Sequence, residues 1–207
     1  MASNPQLEQW NKRFAGEEYF FGTEPNAFLA SQRHLLRPGQ KALAVADGEG
    51  RNGVWLARQG LQVHAVDFSP VAVQKAQRLA ARYGVKTTVE CADLTTWNWG
   101  PPRFDLVVAI FIQFVGPPAR DEIFRHMKGV LLPGGLILLE GYRPKQLEYK
   151  TGGPPQVENL YTTELLRKAF SDMEIRQLAE YDAVLTEGNH HTGMSALIDL
   201  VAQKRAP

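Results

Sequence analysis

Three glycines and two carboxylates follow the first strongly apolar run of the chain. Residues 45–53 read VADGEGRNG, in which Gly48, Gly50 and Gly53 form a G-x-G-x-x-G pattern. Glycine has no Cβ atom, so such a loop lets a ligand approach the main chain and lets the following helix approach the sheet. The pattern predicts a nucleotide-type binding loop, although a glycine-rich turn with a purely structural role also fits it.

Two further aspartates come directly after predicted strands. Asp67 ends the second strand, where a carboxylate can accept hydrogen bonds from both hydroxyls of a ribose. Asp93 follows the third strand, where it can accept from an adenine amino group while the Leu94 N–H faces a ring nitrogen. The plainer interpretations are a helix cap for Asp67 and a turn cap for Asp93. Together, the three strand ends predict a ligand that contains a nucleoside.

The charge of the glycine loop discriminates between nucleoside ligands. Asp47 and Glu49 place two carboxylates inside the loop. These carboxylates would repel the pyrophosphate of a nicotinamide or flavin dinucleotide at close range. The sulfonium and ammonium groups of S-adenosylmethionine (SAM) are cationic and fit acidic side chains better. We therefore expect SAM as the cofactor.

Methyl transfer from a sulfonium is an in-line displacement, so the protein positions the acceptor, excludes water and, where the acceptor must lose a proton, supplies a base. The candidates for catalytic residues are His191, Tyr142 and His190. Adjacent histidines on a strand point to opposite faces, so the pair cannot easily bind one ion and no metal is expected. Their plainer interpretations are turn or surface histidines and a packed tyrosine ring.

An aromatic segment near the amino terminus, Glu17–Asn26 (EEYFFGTEPN), is a candidate lid. Its plainer interpretation is a cover in which aromatic rings pack on a sheet face. The two interpretations are compatible.

Strand and helix patterns alternate along the chain and position these residues. Short apolar or β-branched runs predict strands at 41–47, 61–67, 86–91, 104–111, 136–141, 173–181 and 195–204. Apolar stripes bounded by caps and glycines predict helices at 51–59, 70–83, 117–132 and 162–170. The last two strands, separated by a turn at 186–193, are expected to pair antiparallel. Successive β-α units of this kind predict an α/β three-layer sheet.

Composition restricts the class of partner. The net charge is +1, with 23 Lys plus Arg and 22 Asp plus Glu, so a nucleic-acid partner is not expected. The one cysteine, Cys91, excludes an internal disulfide and is expected to be buried. No signal peptide or membrane-spanning run is apparent, so we expect a soluble cytoplasmic protein with no membrane partner.

Five segments carry a resemblance to a known family. They read ALAVADGEGRNGVWLARQG, VHAVDFSPVAVQKAQRLA, ECADL, FDLVVAIFIQF and LLPGGLILLEGY. Their order and spacing resemble the motifs of the class I SAM-dependent methyltransferases. The GEGRN-x-x-x-LA form is similar to the tellurite-resistance and thiopurine methyltransferase-like branch. The flanking segments WNKRF…EYFFGTEPNAFL and EGNHHTGMSALIDLVAQK resemble small bacterial methyltransferases of unassigned substrate.

The resemblance implies a Rossmann-like methyltransferase fold whose seven-stranded, mostly parallel sheet has a terminal antiparallel strand. It implies one domain over residues 1–207, with an amino-terminal helical lid or cover at 1–36 and a core at 37–207. SAM would be the cofactor, S-adenosylhomocysteine the product and a small molecule the methyl acceptor. The expected cofactor-binding residues are Asp47, Gly48, Glu49, Gly50, Arg51, Asp67, Phe68, Asp93, Leu94, Ile110 and Phe111.

The chain departs from the family pattern at Ala44 and Ala46, where the family has an acidic residue and a glycine. Asp47 or Glu49 would then have to hold the methionine ammonium group. Two alternatives stay open: a nicotinamide-dependent oxidoreductase, and a protein that binds the cofactor without transferring the methyl group. A monomer or a weak homodimer is expected.

Overall fold

The computed structural model describes residues 4–188 and 191–206. The strands in these residues are β1 (Lys41–Val45), β2 (Gln62–Asp67), β3 (Thr87–Cys91), β4 (Phe104–Ile110), β5 (Leu131–Tyr142), β6 (Glu174–Glu187) and β7 (His191–Gln203). The α-helices are α1 (Pro5–Phe14), α2 (Ala27–Ser31), α3 (Arg51–Arg58), α4 (Pro70–Arg82), α5 (Pro117–Gly129), α6 (Gln146–Tyr149) and α7 (Thr163–Ala169). Short 3₁₀ turns lie at Gln32–Leu35 and Val157–Asn159.

The strands form one seven-stranded sheet in the order β3-β2-β1-β4-β5-β7-β6. β2 pairs in parallel with both β1 and β3, and β4 pairs in parallel with β5. β7 runs antiparallel to β5, with Tyr142 opposite Leu197. The predicted α/β fold, with a mostly parallel sheet and antiparallel pairing at its carboxyl-terminal end, is confirmed.

Two predicted boundaries were wrong. The helix predicted at 117–132 already ends at Gly129, and the strand predicted to begin at residue 136 begins at Leu131. The register between β4 and β5 shifts here, so the extra residues form an irregularity inside the strand. The turn expected at 186–193 is shorter, because β6 extends to Glu187 and β7 begins at His191.

The described residues group into two compact units, and each is described by itself. The first unit contains residues 4–97 together with 187, 188 and 191. The second contains residues 98–186 and 192–206. The single domain expected over residues 1–207 stays a prediction.

In the first unit, local sequence signals determine where the helices begin. The Ser69 hydroxyl accepts from the Ala72 N–H at 3.2 Å, and Pro70 occupies the first turn of α4, as predicted. The buried residues of α4 are Ala72, Val73, Lys75, Ala76, Leu79 and Ala80. All of them are small or apolar except one lysine, so α4 carries a single cation on its buried face.

In the second unit, β4 and β5 are buried almost throughout. A Cβ atom at Gly141 would lie 2.5 Å from Cδ2 of the fully buried Tyr161, so only glycine lets this ring pack on β5. α7 begins where Thr162 accepts from the Leu165 N–H at 3.1 Å, which confirms the predicted cap.

The edge strand β3 corrects one expectation. Cys91 was predicted to be buried, but it is exposed at the end of this strand. An edge strand has a neighbour on one side only, so its last residue is poorly covered.

Among residues 4–188 and 191–206, none of the helices combines the length and apolar character that a membrane crossing requires.

Candidate functional site

The glycine loop after β1 is built from left-handed backbone. Ala46, Gly48 and Gly50 have φ values of 49°, 59° and 90°. A Cβ atom at Gly50 would lie 2.7 Å from the Cβ atom of Ala76, so this glycine is required for the close approach of α4. Ala46 adopts a conformation that glycine takes more readily.

Asp47, the first loop carboxylate, caps α3. Its Oδ1 and Oδ2 accept from the Gly53 N–H at 3.1 and 3.2 Å. Burial raises the pKa of Asp47 to about 7. The hydrogen bond from Gly53 and the charge of Arg51 lower the pKa, and the charge of Asp67 raises it. This carboxylate therefore titrates near neutral pH.

Glu49, the second loop carboxylate, is bonded inside the protein. Its Oε1 pairs with Lys75 Nζ, and its Oε2 accepts from the Phe20 N–H at 2.7 Å. Glu49 and Lys75 are only 3% and 2% exposed, so this is a buried ion pair. The predicted role of Glu49 in cofactor binding stays a prediction, but the carboxylate already has two partners.

Lys75 also fastens residues 14–22, which we call the strap. Its Nζ donates to the carbonyl oxygens of Gly16 at 2.9 Å and Glu18 at 2.5 Å. In return, the Tyr19 hydroxyl donates to the Lys75 carbonyl at 3.1 Å. The strap overlaps the segment predicted as a lid or cover, and in the structure it is tied to α4 and to the glycine loop.

Asp67 lies at the end of β2 and joins two loops. Its Oδ2 accepts from the Gly48 N–H and its Oδ1 from the Ser69 N–H, both at 2.9 Å. Burial raises the pKa of Asp67, while the hydrogen bonds from Ser69 and Gly48 lower it. The carboxylate therefore bonds to the main chain of the glycine loop and also to the start of α4, next to the partly buried Phe68.

Asp93 is exposed, and its Oδ1 accepts from the Thr95 N–H at 2.9 Å and the Thr95 hydroxyl at 2.7 Å. This is the turn cap considered as its plainer interpretation. Leu94, next in the chain, is buried. An adenine contact for either residue stays a prediction.

A buried polar cluster lies in the same unit as the glycine loop. Glu187 accepts from Arg51 Nη2 at 2.7 Å, from His191 Nδ1 at 2.7 Å and from Asn26 Nδ2 at 3.0 Å. The Phe21 ring lies against two partners of Glu187, 5.8 Å from the Arg51 guanidinium carbon and 5.5 Å from the His191 ring centroid. The structure thus brings together two predicted site residues, Arg51 and His191. His190 lies outside the described residues.

Two predicted site residues, Phe111 and Tyr142, contact each other in the second unit. Phe111 follows β4 with a φ of 55°, and its ring lies 4.6 Å from that of Tyr142, centroid to centroid. The Gln113 amide positions Tyr142, since its Oε1 accepts from the Tyr142 N–H at 2.6 Å and its Nε2 donates to the Tyr142 carbonyl at 2.8 Å. Ile110, also predicted, is buried at the end of β4.

Sequence reasoning missed three residues of this site: Glu187, Asn26 and Lys75. The burial of Lys75 could have been predicted from the sequence, because it lies three residues after Ala72 and four before Leu79, on the apolar stripe of α4. The contact between Glu187 and Asn26 could not have been predicted, since the two residues are 161 positions apart and only the fold brings them together.

Comparisons with known proteins agree with this geometry. The family described as "Methyltransferase domain" matches residues 42–135. Thiopurine S-methyltransferase from Nitrosospira multiformis is 31% identical over 199 residues, which cover 87% of this chain and 88% of that protein. The first curated relatives that the chain matches are longer, and the matches span only 37% to 40% of their length.

Two solved structures show the same fold. TehB from Haemophilus influenzae has a TM-score of 0.72 at 16% identity, with 97% of this chain and 67% of that chain covered. The N-methyltransferase NodS from Bradyrhizobium japonicum WM9, in complex with S-adenosyl-L-homocysteine, has a TM-score of 0.70 at 12% identity, with coverage of 97% and 99%. At these identities the likeness concerns the fold alone.

The Lys75–Glu49 pair leads to a stability prediction. Lys75→Met leaves a buried carboxylate without its cation and should lower the free energy of unfolding by about 3–5 kcal/mol. Adding Glu49→Gln removes the unpaired charge, so the double variant should be more stable than the single one. Urea unfolding measures both, with the exposed Lys86→Met as the matched control. A Lys75→Met variant as stable as the control would contradict the role of the pair.

The pKa of Asp47 leads to a pH prediction. Because the pKa is raised from 3.8 to about 7, the folded state binds more protons than the unfolded state between these values. Wild-type stability should therefore fall, through this group, as pH rises from about 4 to about 7. Asp47→Asn keeps an acceptor for the Gly53 N–H and lacks this loss. Its stability advantage should grow by up to about 1.4 kcal/mol per pH unit in urea unfolding, and an advantage independent of pH would refute the assignment.

Proposed function

Because the chain belongs to the class I SAM-dependent methyltransferases, we propose that its methyl acceptor is a small molecule. The observation that carries this proposal is the match to an enzyme named for S-methylation of thiopurines, which spans most of both chains. The net charge of +1 supports it, since a nucleic-acid acceptor usually requires a basic surface. Membership of the family decides against the nicotinamide-dependent oxidoreductase.

The residues of the glycine loop fit SAM. The loop has left-handed backbone and no side chain at Gly48 and Gly50, and the buried Asp67 carboxylate at the next strand end is the predicted ribose partner. Arg51 is buried, and within the described part of the chain its Nη1 has no hydrogen-bond partner. A buried guanidinium with an unused donor fits the carboxylate of the methionine moiety. When bound, SAM supplies a methyl group on a positively charged sulfur.

The two loop carboxylates, Asp47 and Glu49, have different proposed roles. Glu49 already meets Lys75 and the Phe20 N–H, whereas Asp47 accepts from the main chain at Gly53, so Asp47 is the better candidate for the methionine ammonium group. Glu49 holds the strap through the Phe20 N–H and so stabilises the loop. Gly50, Phe68, Asp93, Leu94, Ile110 and Phe111 complete the proposed cofactor contacts.

The acceptor is proposed to meet an aromatic and apolar wall. Tyr142 packs with Leu160, Leu185 and Leu197, and Phe111 packs against this cluster. Such a wall favours a flat or apolar acceptor. Tyr142 and His191 stay the candidates for acceptor contact and proton removal, with His190 as a further candidate. A cytoplasmic location and a monomeric or weakly dimeric state stay predictions.

The acceptor class is tested by incubating the enzyme with methyl-labelled SAM and three separate fractions: a metabolite extract, ribosomal protein and total RNA. We expect label in the metabolite fraction, and a mixture of thiopurines and simple aromatic thiols serves as a defined probe. Label confined to protein or RNA would reject a small-molecule acceptor. Label in no fraction, with S-adenosylhomocysteine still bound in calorimetry, would favour a cofactor-binding protein without transfer.

Asp67→Ala should weaken the binding of S-adenosylhomocysteine by about 1.5–3 kcal/mol, the scale for losing hydrogen bonds to a charged group. This corresponds to roughly a 10- to 150-fold higher Kd in calorimetry. Circular dichroism should confirm that the variant is folded, and NAD should bind neither protein. An unchanged Kd in a folded variant removes the ribose assignment.

A further inference from the structure

Two buried carboxyl groups face each other across β5 and β7, in the second unit. Glu140 on β5 lies opposite Asp199 on β7 in the antiparallel pair, so both side chains stand on the same face of the sheet. They are 1% and 4% exposed. On its other side, Glu140 lies opposite the buried Ile110 of β4. Neither carboxyl group belongs to the proposed cofactor or acceptor contacts.

A tyrosine reaches this pair from the next strand. The hydroxyl of Tyr181, on β6, donates to Glu140 Oε1 at 3.1 Å, and it also has a hydrogen-bond contact with Asp199. β7 lies between β6 and β5, so the tyrosine side chain crosses over the strand that carries Asp199. Burial and the charge of Glu140 raise the pKa of Tyr181, so the hydroxyl keeps its proton. A phenol has a single hydrogen, which is one donor for two carboxyl groups.

The surroundings of Asp199 supply no positive charge in the part of the chain that the structure describes. Besides burial, the groups there that act on the pKa of Asp199 are Tyr181 and Glu140, and neither is a cation. No cluster of three or more metal-ligating side chains lies within residues 4–188 and 191–206. Asp199 Oδ1 is buried, and no hydrogen-bond donor of the same residues reaches it. A proton on one carboxyl group would supply the missing donor and remove one of the two buried charges.

The pKa of Asp199 agrees with this geometry. Burial raises the pKa from 3.8 to about 6, although the hydrogen bonds with Tyr181 and Glu140 lower it. A hydrogen bond between two carboxyl groups needs a hydrogen on one of them, because an ionised carboxylate only accepts. Two carboxyl groups at close range also resist double ionisation, since like charges repel strongly where water is excluded.

We propose that Glu140 and Asp199 hold one proton between them and form a pH-sensitive switch that controls the pairing of β7 with β5. While the proton is present, the acid donates to the carboxylate and Tyr181 donates to the pair, so side chains of three strands are bonded together. Loss of the proton leaves two buried anions face to face, and their repulsion weakens the strand pairing.

The switch acts on a larger part of the second unit through Tyr181. This tyrosine packs against a buried cluster whose members are Tyr142, Leu160, Leu185 and Leu197. Leu197 lies on β7 and is the cross-strand partner of Tyr142 on β5, so weaker pairing of these strands loosens the cluster as well. The switch operates whether or not the methyl acceptor is a small molecule.

The first test is urea unfolding as a function of pH. Because the pKa of Asp199 is higher in the folded state, stability should fall as pH rises from about 4 to about 6. Asp199→Asn supplies an amide donor without a charge and should lack this fall. The unfolding constant of the wild type should rise, relative to that of the variant, by up to about tenfold per pH unit. Asp47 is unchanged in both proteins, so its contribution cancels in the ratio.

The control for this test is Glu158→Gln, which removes an exposed carboxylate from the same unit and should leave the fall of stability with pH in place. A ratio of wild type to Asp199→Asn that does not change with pH would overturn the proposal. Circular dichroism should show that each variant is folded.

A double-mutant cycle tests whether the proton is shared. Glu140→Gln also supplies an amide donor, so it should remove the same pH dependence as Asp199→Asn, because the proton belongs to the pair. The variant with both substitutions should lose no more pH dependence than either single variant. Additive losses would reveal two independent carboxyl groups and reject the shared proton.

Amide hydrogen exchange tests the effect on the strands and uses the wild type as its main sample. After correction for the intrinsic rates, residues 197–201 of β7 should be less protected at about pH 8 than at about pH 5, and Asp199→Asn should remove this difference. Equal protection of the wild type at both pH values would leave a titrating pair that does not move the strands, and would reject the switch.

Discussion

Lys75 is the cation around which the unit that contains the glycine loop is organised. Its ammonium pairs with Glu49 of the glycine loop and donates to the main chain of the strap. A charge that is 2% exposed must have its partners supplied by the protein, because no water replaces them. Lys75 of α4 therefore connects the helix to the glycine loop and to the strap. If any of the three moved away, the ammonium group would lose a partner or become exposed to solvent.

The same constraint applies to three other carboxylates of this unit, of which Asp67 and Glu187 are buried and Asp47 is partly buried. Asp47 accepts from the start of α3, Asp67 accepts from two main-chain N–H groups, and Glu187 accepts from three side chains. Their pKa values differ accordingly. Burial dominates at Asp47 and Asp67 and raises both pKa values, whereas the hydrogen bond from His191 and the charge of Arg51 lower the pKa of Glu187 to about 2. The surroundings of each carboxyl group therefore decide its charge: Asp47 titrates near neutral pH, whereas Glu187 is ionised at neutral pH.

Family membership and site geometry address different questions. The match to thiopurine S-methyltransferase establishes a SAM-dependent methyltransferase, and the solved structures share its fold at 12% to 16% identity. Neither identifies the atom that receives the methyl group. That choice depends on side chains such as Tyr142 and His191, whose partners are particular to this chain and whose roles are the subject of the proposals above.

The α/β class, the order of the strands along the chain and the glycine loop were predictable from the sequence, because each depends on local signals. Apolar runs, the Ser69-Pro70 cap and the spacing of Gly48, Gly50 and Gly53 act over a few residues. What the sequence by itself could not determine is the partner of each charged group. Glu49, a predicted cofactor contact, is paired with Lys75 and bonded to the strap. Cys91 is exposed because β3 is an edge strand, and Glu187 joins Asn26 and Arg51 across more than 130 residues. Hydrophobic periodicity is a property of one segment, whereas the pairing of a buried charge depends on which distant segments pack beside it, and only the tertiary structure decides that.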